Sequence, residues 1–474
     1  MIKKIAVLFA IIVFFQVSCN LAPEVEEKKI TPEKESFVNS KKQNKKLGDL
    51  NWWNEFNDKN LNTFILDAQK NSLDFKNADL TVEKFKLLYR VSKSNFWPNI
   101  SLSTGAMRNK TNLRTFLPQG GAFKNTTYSF TFDASYEIDL FNKLKNERKQ
   151  SLYSFLNMEQ TQKSLKLSII ANATSLYLKY SELKKEIKNT EKTIEVYKII
   201  RDTAYKNYLD GVYPSETFLL AENQLNQLEN TLNSLKQNKI ILEQSIKNIL
   251  SKHNASIKTT DFDKLKREIK PLNPGLPSEL LLRRPDVLAS YLDVKAKASS
   301  VGINKANLFP SIKLTASDGF KTTELSLLLN QKSNVWNFGI NIFQPIFNRG
   351  ALRNKLKISK KDLEIAINNY KKTVINAFTE VDSLLEQYET ITIQINSEKK
   401  AVSSLKTILD KKKKDYINGT DTLENYLNQK IAYINEKNKL DRLYLNLLLN
   451  RVSLYKALGG GVNLLKNNEY RGEK

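Results

Sequence analysis

Between Tyr128 and Leu140 the chain reads Y-S-F-T-F-D-A-S-Y-E-I-D-L. The even positions, Tyr128, Phe130, Phe132, Ala134, Tyr136, Ile138 and Leu140, are apolar, and the odd positions, Ser129, Thr131, Asp133, Ser135, Glu137 and Asp139, are polar. Successive side chains of a strand point to opposite faces, so this alternation specifies a strand with one dry and one wet face. At about thirteen residues it is long for a globular strand of about five or six, and it suits a tilted strand crossing a bilayer. A soluble β-sandwich strand is the competing reading of this segment alone.

The residues C-terminal to this strand narrow the choice. After Phe141-Asn142 an apolar stripe runs Ile169, Ala173, Leu176, Tyr180, Leu183, Ile187, Thr190, Ile194, Tyr197, Arg201, Ala204, Tyr208, with spacings alternating three and four. That is a coiled-coil seam. A continuous helix from Lys143 to Tyr208 would measure on the order of 100 Å at about 1.5 Å per residue. It ends at Tyr208-Leu209-Asp210-Gly211, where Gly and then Pro214 break it. A second seam returns through Phe218, Ala221, Leu225, Leu228, Leu232, Leu235, Lys239, Leu242, Ile246 and Ile249, which makes the two helices antiparallel neighbours.

The second half repeats the first. Leu308-Phe309-Pro310-Ser311-Ile312 answers Phe96-Trp97-Pro98-Asn99-Ile100, and an alternating strand over Val335 to Phe347 answers the one over Tyr128 to Leu140. Phe347-Asn348 answers Phe141-Asn142. A long seam from Leu363 to Tyr416 closes at Tyr416-Ile417-Asn418-Gly419, and a last helix from about Thr422 to Leu458 stops at Gly459-Gly460-Gly461. In each half a further strand precedes the alternating one, Asn99 to Asn109 in the first, with a polar loop over 111–126. The fold class is therefore α+β, a duplicated unit of helix, hairpin, long helix, turn and helix. The boundaries are 51–270 for the first repeat (hairpin about 98–141, long helices about 143–208 and 215–252), 271–461 for the second (hairpin about 310–347, helices about 349–416 and 422–458), and a tail over 462–474.

The first residues are those of a secretory signal over 1–18: basic Lys3-Lys4, apolar Ile5 to Phe15, then Val17-Ser18. Cys19, the single cysteine, stands where a bacterial lipobox places its modified residue, with Gln16 where Leu is usual. Lipidation of Cys19 and ordinary signal cleavage nearby are the two readings, and residues 19–50 read as a tether. No later stretch offers eighteen uninterrupted apolar residues, so a membrane contact is made by a barrel or a lipid. A formal charge of +25 and a mean hydropathy of −0.46 describe solvated helices. Nucleic acid is excluded as a partner because the Lys residues are spread among Asn and Glu in an exported chain. No Ser/His/Asp arrangement, phosphate loop or Cys/His metal spacing is present, and His253 stands without a partner constellation. No catalysis, cofactor or metal is expected. Arg283-Arg284-Pro285-Asp286 reads as a helix start.

Four membrane-length strands cannot close a barrel that needs about eight or more, and an open edge is not tolerated in a bilayer, so several copies must share one barrel. The rival class is an exported coiled-coil adhesin or structural surface protein, which has no need of paired hairpins in both halves. Leu276-Pro277-Ser278-Glu279-Leu280-Leu281-Leu282-Arg283-Arg284-Pro285-Asp286-Val287, Ala306-Asn307-Leu308-Phe309-Pro310, Gln344-Pro345-Ile346-Phe347-Asn348 and Ala457-Leu458-Gly459-Gly460-Gly461 make the chain resemble the TolC-like outer-membrane factors, lipoprotein branch. The resemblance implies a homotrimer in outer-membrane lipid, with a shared twelve-strand barrel, a periplasmic α-barrel and a mixed belt around its middle. It also implies a periplasmic adaptor and an inner-membrane pump as partners, and a passive exit duct as function. The turns at Gly211 and Gly419 are then the periplasmic tip. The family narrows that tip with an acidic ring about nine residues past the turn glycine, which is Asn428 here. Asn425 lies a turn earlier, and the nearest carboxylates are Glu424 and Asp421. The constriction uses Asn or shifts its charge by a turn, with Glu424 and Asn428 expected to face the lumen, while Asp421 alone reads first as a helix cap.

Overall fold

The computed structural model describes residues 21–32, 52–112, 121–255, 257–266 and 283–460. The signal segment, Cys19, the tether beyond Pro32, the Leu276 to Leu282 part of the motif, Gly461 and the tail lie outside the described residues. The elements are α1 (Lys59–Asn71), α2 (Leu73–Ser94), β1 (Asn99–Asn112), β2 (Ala122–Ile138), α3 (Lys143–Leu209) and α4 (Ser215–Leu250). They continue with α5 (Pro285–Ala306), β3 (Ser311–Thr322), β4 (Asn334–Phe343), α6 (Ala351–Ile417) and α7 (Leu423–Ala457). The chain forms two compact units, each drawing on both halves of the sequence: Met1–Thr31, Thr81–Glu159 and Ala289–Lys371, and Pro32–Leu80, Gln160–Leu288 and Lys372–Lys474.

The first unit is built on one antiparallel sheet of order β1-β2-β3-β4. Leu102 lies opposite Phe132, Ala134 opposite Ile100 and Ala316, Tyr136 opposite Leu314, and Leu314 opposite Ile340. The polar set pairs likewise, Ser103 with Thr131, Asp133 with Ser101 and Ser317, Thr315 with Gly339 and Ser317 with Asn337. Directly opposed residues share a face, so the alternation of β2 extends across the sheet, broken on the apolar face by Asp318 of β3, which stands opposite Phe132 and Trp336. Asp133 accepts hydrogen bonds from Ser103 and Ser317 on its flanking strands, which satisfies the one carboxylate in the middle of the wet face. The eleven residues of β2 paired to β3 span about 36 Å, which at a tilt of about 45° is the roughly 25 Å apolar height of a barrel in a membrane. Both hairpins depart from the expected limits. The first extends to Asn112 and resumes at Ala122, so the loop is shorter than 111–126. In the second, β4 ends at Phe343 rather than Phe347, because Pro345 has no N–H to continue a ladder.

Strand turns into helix through left-handed residues at matching places in the two halves: Asn142 at φ 58°, and Arg349 and Gly350 at φ 53° and 81°. The Asp139 carboxylate accepts from the backbone N–H of Leu144 and Lys145 at 3.0 and 2.8 Å, covering the open donors of α3. The helices beneath keep the order of the strands they join. Tyr89 of α2 stacks on Phe155 of α3, Asn157 of α3 bonds the carbonyl of Ala289 in α5, and Tyr291 of α5 meets Tyr370 of α6. The order is thus α2-α3-α5-α6.

In the second unit the order is α4-α3-α7-α6. Tyr180 and Tyr205 of α3 reach Glu243 and Phe218 of α4, Asn189 of α3 bonds Asn438 of α7, and Asn450 and Gln429 of α7 donate to carbonyls of Leu384 and Leu405 in α6. Trp52, Trp53, Leu61, Ile65, Tyr177, Leu178, Phe262, Leu448 and Tyr455 form its main core, with Trp52 stacked on Tyr455 at 5.0 Å. The expected seam of α3 is buried at Ala173, Tyr180, Leu183, Thr190, Ile194 and Ala204. A second buried face, Thr174, Leu178, Ser181, Thr193, Val196 and Ile200, packs in addition, because α3 lies between two helices rather than against one.

A charged cluster joins α3, the one-turn helix Phe262–Leu265 and α7. Buried Asp441 lies 2.5 Å from Lys185 and also pairs with Lys266, while Asp263 meets the same two lysines at 2.5 and 2.9 Å and Arg442 binds Glu186. Beside it, burial and then the Glu186 carboxylate push Glu182 up to about 7, against the pull of Arg442, Lys185 and Lys266. A carboxyl raised in this way binds its proton more tightly folded than unfolded, so its stabilisation is complete at low pH and is lost as pH rises through about 7. Wild-type thermal stability is therefore expected to fall between pH 5.5 and 7.5 by on the order of 2 kcal/mol. Glu182→Gln should flatten that slope in melts followed by circular dichroism.

Candidate functional site

The two helix turns are built alike. At the end of α3 the N–H of Val212 bonds the carbonyl of Asn207 at 2.8 Å, and at the end of α6 the N–H of Thr420 bonds that of Asp415 at 2.9 Å. Gly211 at φ 69° and Gly419 at φ 73° take the left-handed position that such closures require. Leu209, Val212 and Ile417 flank these glycines and are exposed. Tyr416 stacks on Tyr426 of α7 at 6.0 Å, joining the second turn to the next helix, whereas Tyr208 is half-exposed.

Helix α7 begins beside that turn. Its N-cap is Thr422, whose hydroxyl accepts from the N–H of Asn425, so the cap is not Asp421 as the sequence suggests. Asp421 instead accepts from Lys412 Nζ at 2.7 Å, Asn425 Nδ2 at 2.7 Å and the N–H of Thr422 at 2.9 Å. These three donors, Lys412 first, hold its carboxyl down at about 2. Because the folded value is depressed, the tether to α6 is complete above the ordinary carboxylate range and lost only as pH falls through about 2. Asn428 stands four residues after Glu424 and three after Asn425, so these three share one side of α7, while Asp421 precedes its N-cap. Asn425 and Asn428 are exposed and Glu424 is half-buried. Leu427 and Ile431, on the face next to these residues, are buried in a cluster with Val196, Ile200 and Ala221. The structure thus joins Asp421 to Asn425, and adds Lys412, which the sequence pattern places in the seam of α6. A charged residue at an apolar seam position one turn before the break is the signal that marks it.

A sheet that is largely apolar on one face, hydroxyl-rich on the other and, among the described residues, open at both margins, with two of its strands leading into helices of 67 residues each, is a section of a transmembrane β-barrel wall continued by coiled coil. That defines an outer-membrane channel. The outer membrane efflux protein family model matches residues 64–252 and 276–460, one segment in each half. The cation efflux system protein CusC of Escherichia coli strain K12 is 26% identical over 455 residues, covering 94% of this chain and 96% of the relative. The toluene efflux pump outer membrane protein TtgI of Pseudomonas putida is 28% identical over 413 residues, covering 85% and 86%. Among solved structures, the CmeC outer membrane channel of Campylobacter jejuni superposes with a TM-score of 0.84 at 24% identity, over 95% of this chain and 98% of that one. The chain belongs to the outer membrane efflux protein family and is an efflux channel of the outer membrane.

Proposed function

We propose that three copies close twelve strands into one barrel and serve as the passive exit duct of a tripartite pump, with a periplasmic adaptor and an inner-membrane transporter as partners. The observation that carries this reading is the four-stranded sheet itself, whose outer strands β1 and β4 each have one neighbour among the described residues. The relatives' names attach one architecture to cations in one case and to toluene in another, so cargo choice belongs to the pump. The exposed Leu209, Val212 and Ile417 supply an apolar rim for the adaptor.

Lipidation of Cys19 is supported by the packing of the residues just after it. Ala22 packs so closely on α5 that a Cβ on Gly302 would meet it at 2.8 Å and Asn146 of α3 at 2.7 Å. Asn146 is in the first turn of α3, just past the sheet. Ala22 is thus held at the level where strand becomes helix, which suits an acyl anchor on the segment before it.

Asp421, Glu424, Asn425 and Asn428 narrow the lumen, and the Lys412 to Asp421 pair holds the start of α7 to α6 in the narrowed form. Purified protein should have three times the chain mass and a small conductance in planar bilayers. Asp421→Asn should raise conductance several-fold with no pH dependence between pH 5 and 8, and Glu424→Ala with Asn428→Ala should raise it also. A monomeric mass overturns the shared barrel, and an unchanged conductance in both variants removes these residues from the constriction.

A further inference from the structure

The helices leave the sheet from one end, and the two hairpin loops, after Asn112 and after Thr322, close the other. With the helices in the periplasm, the hairpin end meets the outer leaflet. On β2 the apolar face climbs from Ile138 to Tyr128, which stands opposite Ala106 of β1 and Thr322 of β3. That span is the one whose tilted height matches the roughly 25 Å apolar band of a barrel. Tyr128 is therefore at the outer edge of the band, where a ring with one polar tip is favoured.

Beyond that edge the first hairpin turns basic on one side. Arg108 of β1 stands opposite Thr126 of β2, and Lys110 stands directly opposite Lys124. All three cations are exposed. They lie on the face of Leu102 and Phe132, because the register keeps even positions of both strands together along the whole hairpin. The other face over the same stretch carries Met107, Asn109, Thr111, Phe123, Asn125 and Thr127, none of them charged. Charge placed for solubility alone has no reason to avoid one face. Two lysines directly opposed on one face repel each other, and the chain supplies nothing to relieve them. From Asn99 to Phe132 the sequence contains no Asp or Glu. Among the described residues the ion pair made by a strand is that of Glu137 with Lys143, at the helix end of the sheet. Glu324, just past β3, has β2 between it and β1.

We propose that this cluster binds a phosphate group of an outer-leaflet lipid, with the anion between Lys110 and Lys124 and Arg108 closing the site on the membrane side. Opposed Cβ atoms on adjacent strands are about 5 Å apart and diagonal ones about 7 to 8 Å, so three long side chains converge on one phosphate. The guanidinium adds a fork that matches two phosphate oxygens. The height agrees with this. Thr126 and Lys124 are two and four residues past Tyr128, which puts Arg108 about 5 Å and the lysines about 9 Å beyond the apolar edge at a tilt of about 45°. The headgroup layer is about 5 to 7 Å deep on each side, and lysine stems are long enough to bring their ammonium groups down into it. The anion is carried by a lipid because the cluster continues the face that lipid covers, whereas cargo in the lumen passes the uncharged face. Each site is built from one chain's own hairpin and does not depend on how many copies share the barrel.

Native mass spectrometry and thermal melts of the purified full-length channel in detergent, with diphosphoryl lipid A as the probe, test the site. Wild type should hold lipid A through detergent washes and melt several degrees higher with it, and phosphatidylcholine should do neither. Lys110→Gln with Lys124→Gln should lower the retained lipid A at least ten-fold. Lys313→Gln with Lys321→Gln removes the same charge from the other face of the sheet, and should retain lipid A as the wild type does. Equal retention by the wild type and the Lys110 and Lys124 variant, or equal loss in both double variants, overturns the assignment. Millimolar inorganic phosphate that raises the melting temperature as far as lipid A does overturns the lipid as the source of the anion. Where the first double variant accumulates poorly, Lys124→Glu puts a carboxylate opposite Lys110 and should assemble in wild-type yield without holding lipid A. Lipid A retained by that variant counts against the site in the same way.

Discussion

Gly319→Val is expected to eliminate the assembled channel from the outer membrane, lowering heat-resistant oligomer at least ten-fold. Gly319 is in β3, opposite Thr131 of β2 and Val335 of β4. A Cβ at this position would lie 2.1 Å from the carbonyl oxygen of Phe130 and 2.7 Å from the Cα of Thr131. Both are backbone atoms of the adjacent central strand, so no rotamer change relieves the contact. The strand can escape only by separating or by slipping, and a slip of one residue turns every side chain to the other face. In β3 that would send Leu314 and Phe320 toward water and Lys313 and Ser317 toward lipid, and an unpaired strand is not tolerated there either. Gly105 on β1 is the control. A Cβ there meets only the Ser129 hydroxyl, at 3.9 Å, so Gly105→Ala should assemble at near wild-type yield. Equal oligomer yields for Gly319→Val and wild type would show that β2 and β3 are not this close.

The parts of this fold that were legible in the sequence are those fixed by local period. The alternation over Tyr128 to Leu140 gives the face assignment of the whole sheet because register transmits it strand by strand, and Gly211 and Gly419 mark the turns because the closing hydrogen bonds need a left-handed residue. The misread features depend on partners far away in sequence. The second face of α3 contains Thr174, Ser181 and Thr193, which a count of apolar residues passes over although all three are buried. Trp52 finds its stacking partner in Tyr455, a contact that no window of sequence contains. At the start of α7 two good capping residues stand side by side, and only the position of Lys412 explains why Thr422 caps while Asp421 is drawn to α6. The end of β4 at Phe343 was hidden because Ile346 and Phe347 prolong the apolar character of a strand past the proline that ends its ladder.

Arg284 carries the second large expected effect, on the stability of the helical unit rather than on the sheet. Its sequence context is that of a plain helix start, yet it is a junction of three helices. Its guanidinium binds Asp286 in the first turn of α5 through two hydrogen bonds of 3.0 and 2.7 Å, Glu380 of α6 at 2.7 Å, and the carbonyl of Ala457 at the end of α7 at 2.9 Å. The last contact places a cation on the unsatisfied, negative end of a helix, where it is favoured. The Arg284 side chain is 11% exposed, whereas Asp286 and Glu380 are 36% and 39% exposed. Removing the arginine therefore strands two carboxylates that can partly rehydrate and one carbonyl that loses its charged donor. Breaking a fully buried pair costs about 3 to 5 kcal/mol, and discounting for the exposure of both acids leaves about 2 to 3 kcal/mol for Arg284→Ala. Arg284→Lys should recover less than half of that, because an ammonium cannot reproduce the two-pronged contact with Asp286 while reaching Glu380 and Ala457. Thermal melts in detergent should place the three proteins in the order wild type, Lys, Ala, with the Ala variant lower by several degrees. If Lys melts with the wild type, the site needs only a positive charge and the fork geometry contributes nothing.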